Sequence, residues 1–69
     1  MRYSWEVYEP NHLVPGHHMP LTPPWRDIED ADTAEEIAKR ICPQLLPGHR
    51  LNIWDTEGVG KMPVLTVDV

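Results

Sequence analysis

Hydrophobic and polar positions alternate from the start of the chain. In residues 2–9, RYSWEVYE, Tyr3, Trp5 and Val7 are separated by Ser4 and Glu6 and flanked by Arg2 and Tyr8. That is the period-2 pattern of a strand with one buried face. Pro10 ends it. No period survives from Asn11 to Pro24, and five of the eight prolines stand at 10, 15, 20, 23 and 24. Proline donates no backbone hydrogen bond and biases its predecessor to extended geometry, so residues 10–24 are expected to form a long Pro/His-rich loop. Alternation returns in residues 25–29, WRDIE, with Trp25 and Asp27 on one face and Arg26 and Ile28 on the other. This is a candidate second strand.

The period then lengthens. Ala34, Ile37, Ala38 and Ile41 recur at helical spacing, with Asp32 as N-cap, Glu35 three residues later, and Lys39 and Arg40 in the last turn. Pro43 stops the pattern, which predicts a helix over about residues 33–42. Pro47 and Gly48 suit the two central positions of a type II turn. Residues 50–55, RLNIWD, alternate with Leu51 and Ile53 on one side, and residues 56–61, TEGVGK, form a glycine-containing hairpin connection. Leu65, Val67 and Val69 share a face of a final strand over residues 63–69. The expected fold is α+β, one small domain over residues 1–69. An antiparallel sheet of three or four strands carries one helix on one face, in the order β-(β)-α-β-β, with the long loop after the first strand. LVPGHH at 13–18 echoes LLPGHR at 45–50, but the flanks differ, so shared turn chemistry explains the echo better than duplication.

Composition narrows the function classes. With 69 residues the chain is near the lower limit for a self-sufficient core, and it has no phenylalanine. Its aromatic volume is Trp5, Trp25, Trp54, Tyr3 and Tyr8. Homodimerisation is one way for such a core to be completed. The net charge is −5, and the six Lys and Arg form no basic stripe, which disfavours direct binding to nucleic acid or to an anionic membrane. Cys42 is the only cysteine, so an intramolecular disulfide is excluded. Neither a signal segment nor a bilayer-length apolar run is present, and the expected location is the cytoplasm.

Four surfaces are candidates for chemistry. His12, His17 and His18 with Met19, and His49 and Cys42 further off, carry metal-ligand types. Their spacing fits no ligand motif, and no carboxylate lies between Asn11 and Arg26 to orient the rings. The second candidate is acidic: Asp27, Glu29, Asp30, Asp32, Glu35 and Glu36 put six carboxylates in ten residues. Asp32 and Glu35 serve the helix start, which leaves Asp27, Glu29, Asp30 and Glu36 for a basic partner. Catalysis is the poorest candidate. No phosphate loop, nucleophile elbow or carboxylate dyad is present, nothing brings His49, Asp55, Ser4 or Thr56 together, and Cys42 reads as a small buried apolar residue.

The fourth candidate is aromatic. Trp54 is opposite in phase to Leu51 and Ile53, Trp25 follows two prolines, and Tyr8 ends the first strand on its polar side. Such rings are frequent interface anchors, and the last strand offers an edge for pairing. The expected function is therefore that of a small acidic, non-enzymatic interaction or regulatory protein with no cofactor. It would bind a protein partner or itself through Trp54, Trp25, Tyr8, a sheet edge and the acids Asp27, Glu29, Asp30 and Glu36. Size and charge are consistent with an accessory or inhibitor protein of a phage or mobile element. The alternative is a transition-metal module built on His12, His17 and His18.

Overall fold

The computed structural model describes residues 1–58 and 62–69. It is an α+β fold: an antiparallel sheet of five strands with one short helix. The strands are β1 (Arg2–Pro10), β2 (His18–Pro20), β3 (Arg26–Asp30), β4 (Arg50–Asp55) and β5 (Leu65–Asp68), and the helix α1 spans Ala34–Ile41. β1 is the central strand. One side pairs with β4 from Tyr3 to Tyr8; the other pairs first with β3 and then, past Glu6, with β2. β5 closes the far side of β4.

Alternation explains the two faces. Tyr3, Trp5 and Val7 of β1 and Leu51 and Ile53 of β4 are buried together with Ala34, Ile37, Ala38 and Ile41 of α1 and with Leu45. Val7, Leu51 and Ile53 have no exposed surface, and burial of each such side chain contributes roughly 1.5–3 kcal/mol before entropy is counted. The helix holds its place because its single apolar stripe meets this face and no other. Trp25, one residue before β3, meets Trp5 edge-to-face with ring centroids 6.1 Å apart, a favourable aromatic geometry.

Three expectations need correction. The strands number five rather than three or four, because residues 10–24 are not one continuous loop. Asn11 accepts the backbone N–H groups of Leu13 and Val14 on its side chain, and the Asn11 N–H donates to the His17 carbonyl. A turn closed by the His17 N–H on Val14 O, with Gly16 at φ +84°, then returns the chain to pair His18–Pro20 with Tyr8–Pro10. A three-residue strand is too short to show a period, and its edge position tolerates Pro20.

The helix start also differs. Its N-cap is Thr33, with extended backbone and no side-chain cap bond, rather than Asp32. Ala31 is still held to Met1 by two backbone hydrogen bonds of 2.9 Å, so the chain stays extended one residue further than the acidic pattern implies. The last strand begins at Leu65 rather than Pro63. Val64 N–H already reaches Ile53 O at 2.8 Å, and this extra residue before Leu65 bulges the entry to the strand. Of the predicted 56–61 connection, residues 59–61 lie outside the described residues. The part before them is a turn in which Glu57 N–H and Gly58 N–H donate to Asp55.

The Pro47-Gly48 turn forms as its chemistry requires, with Gly48 at φ +89° and His49 N–H on Leu46 O. The echoing segments thus make the same turn twice. They also sit side by side, since His18 Nε2 lies 3.2 Å from Gly48 O and Gly48 packs beside Pro10.

Candidate functional site

The helix covers one face of the sheet; the other carries the polar members of each strand. Register places them in rows. Ile28, Ser4 and Trp54 lie side by side across β3, β1 and β4. The next row is Arg26, Glu6, Asn52 and Thr66, and the one after is Pro20, Tyr8, Arg50 and Asp68. Ile28 is 54 % exposed, and Ser4, Glu6, Tyr8, Asn52 and Trp54 are half-buried. No helix among the described residues lies over this face, and on it Ile28 is exposed and Trp54 half-buried.

The face is charge-balanced although the chain is not. Arg2 stands across from Asp30, Arg26 from Glu6, and Arg50 from Asp68. Arg50 Nε donates to Asp68 Oδ1 at 2.6 Å, and this bond holds the Asp68 carboxyl below the usual range and the guanidinium above it. Arg2 and Asp30 are 3.6 Å apart. Both pairs are substantially exposed and add little stability. Thr66 Oγ1 donates to Asn52 Oδ1 at 2.8 Å in the middle row. Tyr8 donates to Glu6 Oε1 at 3.3 Å, and burial, reinforced by the Glu6 charge, raises its phenol pKa above the ordinary value.

A shallow depression of about 550 Å³ opens on this face. Trp54, Trp5 and Ile28 supply its apolar lining, and Ser4, Glu6, Arg26 and Asp27 its polar lining. An aromatic wall beside an aliphatic side chain, with both charge signs at the rim, is suited to hold an apolar side chain of another molecule and orient its polar neighbours.

The predicted site residues separate in space. Trp54 and Tyr8 lie on this face, two rows apart. Asp27 borders the depression, and its Oδ1 also accepts the Ile28 N–H at 2.7 Å. Asp30 faces Arg2. Glu29 points to the other side. It takes the Trp5 indole N–H at 2.9 Å on one oxygen and a guanidinium N–H of Arg40 on the other, and is thereby committed to tying β1, β3 and α1 together. Burial alone would raise the Glu29 carboxyl pKa; the bonds from Trp5 and Arg40 outweigh it and leave the pKa lowered. Glu36, exposed in the first turn of α1, borders a second, polar depression with Asp30, Glu29 and Arg40. Trp25 serves the core edge through Trp5.

His12 and His17 are exposed, and His18 turns to Gly48 O. Among the described residues no group of three or more His, Cys, Asp or Glu is placed to hold a metal ion. The Cys42 thiol is half-buried, and burial pushes its pKa up, away from the reactive thiolate. Glu6, Arg26 and Ile28 were not singled out from the sequence as site residues, and Ser4 only as a catalytic candidate. Their phase was readable, all falling on even positions of alternating runs, but which strands adjoin was not. No helix among the described residues is long and apolar enough to cross a membrane. No protein-family model, curated protein or solved structure matches the chain.

Proposed function

We propose that the chain is a non-enzymatic interaction or regulatory protein of the cytoplasm that works by docking a protein partner on the face of its sheet opposite the helix. The observation that carries this reading is the Ile28–Ser4–Trp54 row and the depression it forms, directly beside the acidic β3–α1 junction. The partner that fits supplies an apolar side chain to Trp54 and Ile28 and a lysine or arginine to Asp27, an exposed lining acid that no guanidinium engages as a salt bridge among the described residues. Trp anchors beside small side chains and inside a polar rim are the usual source of binding energy in such contacts. Asp30 and Glu36 extend the negative surface past the junction and favour a basic flank on the partner.

Selection of binders from a displayed peptide library against the immobilised chain tests the reading. Enriched sequences are expected to combine an aromatic or branched aliphatic residue with a neighbouring Lys or Arg. Trp54→Ala should weaken them at least tenfold, a loss typical of an interface anchor, and Asp27→Asn should weaken them by less and mainly at low salt. Enrichment without that composition, or binding indifferent to both substitutions, defeats the proposal.

A further inference from the structure

The sheet has two outer edges, and they differ in a way that bears on self-association. On the β3 side, Asp27 folds its carboxylate back onto the outward N–H of Ile28, which blocks the middle of that edge. Asp27 and Asp30 also stand along it, so a second β3 brought alongside would face acid with acid. Among the described residues the β5 side has no such guard. Val69 N–H donates to His49 O at 3.0 Å, and this fixes the parity of the β4–β5 ladder. Leu65 and Val67 turn their backbone groups toward β4, so Thr66 and Asp68 turn theirs outward. Neither has a backbone partner among the described residues. Met62, 81 % exposed, and Val64, 54 % exposed, flank the strand.

We infer that β5 pairs antiparallel with β5 of a second copy of this chain about a two-fold axis at Val67, joining two five-stranded sheets into one. In this register Thr66 of each copy stands opposite Asp68 of the other, and the outward groups of both residues exchange about four main-chain hydrogen bonds. No acid faces an acid. Asp68 is already neutralised by Arg50 of its own chain, so the contact line is free of the repulsion that a −5 chain would otherwise impose. On the helix side Val67 meets its symmetry mate and Leu65 meets Val69, which places apolar beside apolar across the seam. Sliding the register to oppose Asp68 with itself loses this balance. The pairing goes beyond the face-docking reading and uses a different surface, so either can fail alone.

Analytical ultracentrifugation from micromolar to millimolar protein tests it. The mass is expected to rise from 8.0 kDa toward twice that value with concentration. Thr66 is exposed, so charges can be placed there without touching the core. Thr66→Lys sets a cation opposite Asp68 of the second copy and should tighten the dimer; Thr66→Asp sets an anion there and should loosen it. Each change should be about twofold to thirtyfold in Kd, because symmetry counts the cross-strand pair twice. Thermal melting of both variants checks that each monomer stays folded, and Trp54→Ala should leave the dimer constant unchanged. A wild-type chain that is monomeric throughout, or a dimer that responds equally to Lys and Asp at position 66, overturns the inference. Either result would leave peptide capture by the Trp54 face untouched.

Discussion

Removing the Glu29 carboxylate is the sharpest test of how the sheet and helix are joined. The indole N–H of buried Trp5 donates to Glu29 at 2.9 Å, and no second acceptor for it is present among the described residues. Glu29→Ala leaves that donor unpaired, which costs about 1–3 kcal/mol when the donor stays dry. The Glu29 side chain is 27 % exposed, so water can enter its place and the lower part of that range applies. Arg40 is 53 % exposed, and loss of its ion pair adds only about 0.5 kcal/mol or less after solvent screening. The total is about 1–2 kcal/mol, a drop of roughly 4–16 °C in Tm for a domain of this size. Glu29→Gln keeps an oxygen for the indole and should cost about half as much or less. Urea unfolding followed by tryptophan fluorescence reads both variants.

The same carboxyl sets an acid-side signature. Its folded-state pKa is depressed, so its contribution is fully present above the unfolded value of about 4.3 and is lost as pH falls through the folded value. The gap between wild type and Glu29→Gln should therefore shrink below about pH 4. Stability of Glu29→Ala within about 0.3 kcal/mol of wild type, or a gap independent of pH, would refute the bridging role.

Two further outcomes follow from local geometry. Gly48→Ala should destabilise more than Gly16→Ala in thermal melts: both sit at positive φ, which costs an L-residue roughly 1–2 kcal/mol, but only at 48 would the new Cβ also press on Pro10 Cγ at 3.2 Å. Equal losses would mean that the Gly48–Pro10 contact does not constrain the turn. In a tyrosinate absorbance titration of a Tyr3→Phe background, Tyr8 should ionise above about 10 and shift back on Glu6→Gln, because burial first and the Glu6 charge second hold the phenol neutral. Its folded-state pKa is raised, so the linked stability is present below the unfolded value and lost as pH rises through the folded one; a titration unmoved by Glu6→Gln would remove Glu6 as a cause.

Where a segment buries one face, its period could be read directly. Tyr3, Trp5 and Val7 and then Leu51 and Ile53 alternate because the helix lies on their side, and Ala34, Ile37, Ala38 and Ile41 repeat because the sheet lies on theirs. What stayed hidden depends on contacts distant in sequence. β2 exists because Tyr8–Pro10 accept its three residues as a neighbour, and three residues between prolines carry no period of their own. The N-cap moved to Thr33 because Met1 holds Ala31 in the sheet from 30 residues away. Trp54 was legible in phase, but its row-mates Ser4 and Ile28 required the pairing register. Glu29 shares the odd phase of Trp25 and Asp27, so its inward direction was implicit in the alternation, whereas its partners lie 24 and 11 residues off.

The acidic cluster changes meaning when its members are placed. A run of carboxylates between Asp27 and Glu36 first suggests one patch with one purpose, yet the fold distributes the acids by strand parity. Glu29, odd, turns under the sheet and binds Trp5 and Arg40; Asp30, even, meets Arg2 on the face opposite the helix; Asp27 stays at the edge and takes the Ile28 N–H. The last of these spends its charge on the one outward backbone donor in the middle of β3. That edge is thus closed by its own side chain and by the repulsion a matching strand would meet. β5 carries a single acid, which Arg50 neutralises, and leaves the outward groups of Thr66 and Asp68 open. On the inference above, β3 is guarded and β5 free, so pairing through β5 would stop once two β5 edges have met. Under the two proposals Asp27 has two roles: at the rim of the Trp54 depression it would select a basic partner for the face, and at the edge it would direct self-pairing to the opposite side of the sheet.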